Sequence, residues 1–110
     1  MTATITIRYM ERGVEKRIPV EAQMVGEFLA VHPAYRTSGF SITHVPTGLA
    51  LFGPMKERTA KDIARKLAAL PLPWESKRGT AYGAAIKRSP ELKATIAALE
   101  RRSLSWRSLP

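Results

Sequence analysis

The sequence predicts a single α+β domain: an antiparallel β-meander of four to five strands followed by two main α-helices packed on one face. Three observations carry that reading. Apolar residues recur with period two up to about residue 52 and with a period near 3.6 from residue 59 onward. Gly and Pro punctuate the joins between the alternating runs. At 110 residues, with 45% apolar and 25% charged side chains, the chain has the size and composition of one globular core.

Residues 4–10 and 14–20 both alternate, and Glu11, Arg12 and Gly13 between them supply the turn of a hairpin. Pairing Tyr9 with Lys16, Ile7 with Ile18 and Ile5 with Val20 gathers the apolar side chains on one face. A slip of one residue would set Ile5 and Ile7 beside Pro19 and Arg17. The chosen register puts Arg8 opposite Arg17, like charges that need Glu15 or an external anion between them. Residues 27–32 and 40–45 read as a second hairpin around a loop that runs from Pro33 to Gly39. Val45, Pro46, Thr47 and Gly48 have the order of a type I turn, and a short fifth strand, residues 49–52, ends at Gly53-Pro54.

From residue 59, Ala60, Ile63, Leu67 and Leu70 form one stripe, with Lys61, Asp62, Arg65 and Lys66 away from it. Thr59 followed by Asp62 resembles a capping box, and Pro71 and Pro73 stop the helix. Another helix opens at Ser89-Pro90-Glu91, where a hydroxyl cap precedes a proline and an acid. Leu92, Ile96 and Leu99 are its apolar stripe, and Arg101 and Arg102 suit its negative end. Residues 80–86 offer a short helical turn with Tyr82, Ala85 and Ile86 on one side. The domain is expected to span residues 1–102, with a Ser-rich, loosely held tail over 103–110.

Composition narrows the function. The absence of cysteine excludes a disulfide scaffold and a thiolate metal site and fits a reducing cytoplasm, the expected location. The N-terminal residues alternate rather than forming a secretory signal, and apolar runs of about four residues are far below the roughly 20 that span a bilayer. No cofactor, metal or catalytic activity is expected. Ser41, His44 and Asp62 assemble a triad only on paper. Gly79 and Gly83 lack the spacing of a phosphate loop. His32 and His44 could face each other across the second hairpin, but no third ligand accompanies them. His44, alternating with Phe40 and Ile42, reads as a packed residue.

Charge is the strongest signal. Residues 56–110 hold 13 of the 18 Lys and Arg but 5 of the 9 Asp and Glu, a balance of +8, whereas residues 1–55 carry +1. Such a field attracts polyanions. Lys77-Arg78, Lys87-Arg88 and Arg101-Arg102 are three cation pairs, and Lys61, Arg65 and Lys66 add a cluster. Aromatic rings beside cations bind single strands by stacking. Tyr35 beside Arg36 is expected to be exposed, Trp74 and Tyr82 to pack, and Trp106 adjoins Arg107. Thr4, Thr6, Arg8, Arg17, Ser41 and Thr43 are expected to share one open, polar sheet face.

The reading is a small, basic, non-catalytic protein that binds DNA or RNA mainly through phosphate contacts. Arg8, Arg17, Tyr35, Arg36, Lys77, Arg78, Lys87 and Arg88 are its candidate interface. The alternative is a protein-binding module whose basic surface docks on an acidic protein partner. A membrane partner is not expected, and an edge strand containing Pro19 is compatible with a monomer or a dimer.

Overall fold

The computed structural model describes residues 1–35 and 37–104. Strands β1 (Thr2–Glu11) and β2 (Val14–Val25) pair in the register set by the alternation, Tyr9 with Lys16, Ile7 with Ile18 and Ile5 with Val20. Arg12 and Gly13, with φ of 52° and 80°, place left-handed backbone at both central positions of the turn, as a tight hairpin of the primed kind requires. Strands β3 (Leu29–Pro33), β4 (Phe40–His44) and β5 (Leu49–Met55) extend an antiparallel sheet of order β1-β2-β3-β4-β5. Helices α1 (Glu57–Ala68), α2 (Gly79–Arg88) and α3 (Pro90–Leu104) follow. The fold is therefore the expected meander followed by helices, with a third helix where a short turn was expected.

Several boundaries differ from the sequence reading, β2 running five residues further to Val25, and three of the differences have a local reason. β5 continues through Gly53 and Pro54 to Met55, because a bulge absorbs them. Phe40 pairs with Met55 and Ile42 with Leu51, so β5 spends four steps where β4 spends two, and Phe52 takes up the excess at φ 65°. α1 begins at Glu57 directly after the strand. Its N-cap is Lys56 without a side-chain cap bond, so Thr59 lies inside the first turn and the capping box does not form. α3 runs through Leu104, past the expected start of the tail, and Ser103 is fully buried with its hydroxyl donated to the Glu100 carbonyl oxygen at 2.6 Å. Its predicted cap is present: Ser89 Oγ accepts the Leu92 N–H at 3.2 Å.

The sheet curls, and it carries a core on each side. Ile5, Ile7, Ala22 and Ala30 pack together inside the curl with Ile18, Val20 and Met24. Leu29, Val31, Ile42 and Met55 pack on the other side against Ala60, Ile63, Ala64 and Leu67 of α1, with Trp74 and Leu99. The curl brings β1 to the β4–β5 turn, where the Arg8 N–H donates to the Gly48 carbonyl oxygen at 2.8 Å. A Cβ on Gly48 would lie 3.0 Å from Arg8 Cγ, and its φ of 73° is left-handed, so only glycine permits this approach.

Two cores overturn the single polar face. Gln23 pairs with Val31, so Arg17, in phase with Gln23 along β2, projects to the helix side of the sheet with Arg8, Thr4 and Thr6. Ser41 and Thr43 project into the curl beside His32 and Ala30. Alternation orders faces within a hairpin. The phase between hairpins comes from the β2–β3 pairing, which joins only residues 23–25 to 29–31. The rest of β2 is an edge, and Pro19 removes a donor from it. No helix among the described residues is long and apolar enough to cross a membrane.

Candidate nucleic-acid interface

Two of the basic clusters share carboxylates that offset part of their charge. On α1, Lys61 meets Glu57 at 3.1 Å, Lys66 and Arg65 meet Asp62 at 3.3 and 3.9 Å, and Arg102 from α3 also binds Asp62. The hydrogen bond from Arg102 holds the Asp62 carboxyl below its ordinary value, with Lys66 adding to the effect. On the first hairpin, Arg8 Nε donates to Glu15 Oε1 at 2.8 Å and Arg17 Nε lies 3.5 Å from Glu15 Oε2. Glu15 thus separates the facing arginines, and the Arg8 hydrogen bond lowers its carboxyl in turn.

The cations of α2 are arranged differently. Lys77 and Arg78 precede the helix, Lys87 and Arg88 form its last turn, and all four are exposed. Residues 76–90 contain no Asp or Glu, and none of the four cations makes an ion pair among the described residues. A helix of this length spans about 15 Å. A duplex presents one charge per roughly 1.7 Å of axis, so about nine phosphate charges fit along that distance.

A buried polar network seats α2. The Tyr82 hydroxyl donates to the Ser76 carbonyl oxygen at 2.9 Å and lies 2.7 Å from His44 Nε2. His44 Nε2–H donates to the Trp74 carbonyl oxygen at 2.6 Å, while Nδ1 lies 2.8 Å from the Thr47 hydroxyl. Both ring nitrogens are therefore satisfied, and the Trp74 carbonyl oxygen fixes a proton on Nε2. The rings of His44, Trp74 and Tyr82 pack with centroids 5.0 to 5.9 Å apart. The Arg78 N–H donates to Ser76 Oγ at 3.1 Å, tying the first cation pair to the same loop.

This geometry answers the sequence expectations in turn. Trp74 and Tyr82 are packed, and His44 is a buried residue bonded on both sides. His32 does not face His44; it pairs with Ser41, while His44 pairs with Leu29. Ser41 lies on the opposite side of β4 from His44, and Asp62 is engaged by cations, so no triad assembles. Among the described residues no group of three His, Asp or Glu is placed to hold a metal.

The eight predicted interface residues occupy separate places. Arg8 and Arg17 flank Glu15 on the outer face of the first hairpin. Lys77, Arg78, Lys87 and Arg88 bracket α2. Tyr35 is exposed at the mouth of the curl, its ring 4.7 Å from that of Tyr9. Arg36, Trp106 and Arg107 lie outside the described residues. Sequence reasoning missed the pocket beneath Tyr35, lined by Ile7, Tyr9, His32, Ser41 and Thr43, with a volume of about 170 Å³. The inward alternation of Tyr9 with Ile5 and Ile7 was the available signal; the curl that closes the pocket was not. No family model, no curated protein and no solved structure matches this chain.

Proposed function

We propose that this protein binds nucleic acid through phosphate contacts made by Lys77, Arg78, Lys87 and Arg88. The carrying observation is the contrast in pairing: Lys61, Arg65 and Lys66 of α1 and Arg8 and Arg17 of the first hairpin share carboxylates, whereas the four cations bracketing α2 share none among the described residues. Unpaired surface cations gain most from phosphates, because each contact releases condensed counterions from the nucleic acid. With Trp74 and Tyr82 packed inward, α2 offers charge rather than ring faces, and binding there is independent of sequence. The cysteine-free composition makes a cytoplasmic setting part of this reading.

The test is fluorescence anisotropy with a random 30-mer, single- and double-stranded, across a salt series. Four contacts predict a loss of about a hundredfold in affinity between 50 and 200 mM salt. Affinity that ignores salt, or no binding at low salt, would overturn the reading.

A second reading has its own support. Leu51, Phe52, Leu72, Trp74, Tyr82 and Ile86 line an apolar cleft of about 240 Å³ beside α2, which suits an acidic protein partner carrying an apolar anchor. Absence of oligonucleotide binding favours that partner.

A further inference from the structure

The open end of the curled sheet holds a second constellation, on the opposite side of the sheet from α2. Its pocket of about 170 Å³ is lined by Ile7, Tyr9, His32, Tyr35, Ser41 and Thr43. Drug-sized ligands occupy pockets of about 300 Å³ or more, so this one admits a fragment the size of a single ring. The floor is closed. His32 Nδ1–H donates to the Pro33 carbonyl oxygen at 2.8 Å and Nε2 lies 2.7 Å from the Thr43 hydroxyl, so both nitrogens of the buried imidazole are occupied.

The walls are aromatic and hydroxylic. Tyr9 is half-buried and Tyr35 is 37% exposed, their rings tilted at 52° with centroids 4.7 Å apart, so Tyr35 offers ring surface at the opening. The Ser41 hydroxyl, also half-buried, makes no hydrogen bond among the described residues and stands ready to donate to or accept from a guest. The hydrogen bond to Tyr35, reinforced by burial and by the Glu11 carboxylate, pushes the Tyr9 phenol up to about 12, so that ring stays uncharged at ordinary pH, while Arg8 brings a guanidinium to the lining.

The rim is charged. Lys16 shares the inner face with its cross-strand neighbour Tyr9, and Arg12 turns the hairpin; both are exposed and neither makes an ion pair among the described residues. Glu11 lies at the same rim, accepting the Tyr9 hydroxyl at 3.2 Å. A ring-sized, hydroxyl-bearing pocket with Arg8 in its lining and further cations at its rim fits a planar polar ring joined to an anionic chain.

We infer that the mouth of the curl, Tyr9, Tyr35 and Ser41 above the His32–Thr43 floor, is a binding pocket for one unpaired nucleobase of a single strand. The inference rests on the nucleic-acid reading and deepens it, because it assigns a preference for unpaired strands to a surface other than α2. Stacking on Tyr35 supplies the affinity, and Ser41 supplies a polar contact to the ring edge.

The experiment compares a single-stranded random 30-mer with an abasic 30-mer, which keeps the phosphates and removes every ring. The wild-type protein binds the base-bearing strand about tenfold more tightly. Tyr35→Ala abolishes that difference, Tyr35→Phe retains it, and reversing the four α2 cations weakens both strands alike. Equal wild-type affinity for the two strands overturns the pocket and leaves the phosphate reading standing. A difference that persists in Tyr35→Ala also overturns it, since the bases are then read elsewhere. Failure to bind either strand removes both readings.

Discussion

α1 and α2 are basic helices of similar length in one small domain, yet α1 pairs three of its four cations with carboxylates while none of those bracketing α2 is paired among the described residues. In α1, Glu57 and Asp62 stand three or four residues from Lys61, Arg65 and Lys66, the spacing at which helical side chains meet, and Arg102 of α3 is drawn to the same carboxylate. α2 itself contains no acid, and neither Glu75 before it nor Glu91 after it makes an ion pair with these cations among the described residues. A count of cations therefore describes how much charge the chain carries, whereas the position of a few carboxylates decides which surface projects it. The two helices are also held differently. α1 buries Ala60, Ile63, Ala64 and Leu67 under the sheet, while α2 is seated by Tyr82 on the His44 network.

The largest effect should come from the seat of α1. Ile63→Ala empties a fully buried site and should cost about 3 kcal/mol in denaturant unfolding. A cost close to zero would mean that α1 is not part of the main core. Next is charge reversal of Lys77, Arg78, Lys87 and Arg88 together. Affinity for a random 30-mer at 50 mM salt should fall by about a hundredfold and the salt dependence should nearly vanish. The matched reversal of Lys61 and Arg65 should change affinity little, and equal losses from both sets would erase the contrast between the helices.

Asp62→Asn sharpens the same contrast from the other side. It frees Lys66, Arg65 and Arg102, so affinity at low salt should rise, by up to about tenfold, as α1 acquires unpaired charge. The same substitution tests a pH effect. The Asp62 carboxyl lies below its ordinary value, so its contribution to stability is complete above the unfolded value and is lost as pH falls through the folded one. Acid unfolding of the wild type should include this loss and that of Asp62→Asn should not. Tyr82→Phe should have the smallest effect, about 1 kcal/mol, because it removes the bond to the Ser76 carbonyl oxygen while keeping the ring.

Much of the fold is readable from residue order. Period-two alternation and the Arg12-Gly13 turn specify the first hairpin down to its register, and Ser89 marks the cap of α3. Other features escape because they depend on where strands end. Thr59 has the chemistry of a cap, yet α1 starts where β5 stops. Pro54 looks like a terminator, yet a bulge carries β5 past it. Of the candidate site, the four α2 cations are visible as a run without acids. The pairing of Lys61, Arg65 and Lys66 is visible too, because their partners lie on the same helix, but Arg102 reaches Asp62 across 40 residues.

The sequence by itself determined the α+β class, the order of elements, the first register and the basic excess of the C-terminal half, because each follows from neighbours within a few residues. Tertiary structure alone decided that the two hairpins bury opposite faces, that β1 closes on Gly48, that Tyr9 meets Tyr35 over a pocket, and that Asp62 draws in Arg102. The physical reason is that periodicity is a local property of a chain. The phase between hairpins and the closure of a curl arise from pairings between distant residues, set by which apolar surfaces find cover together.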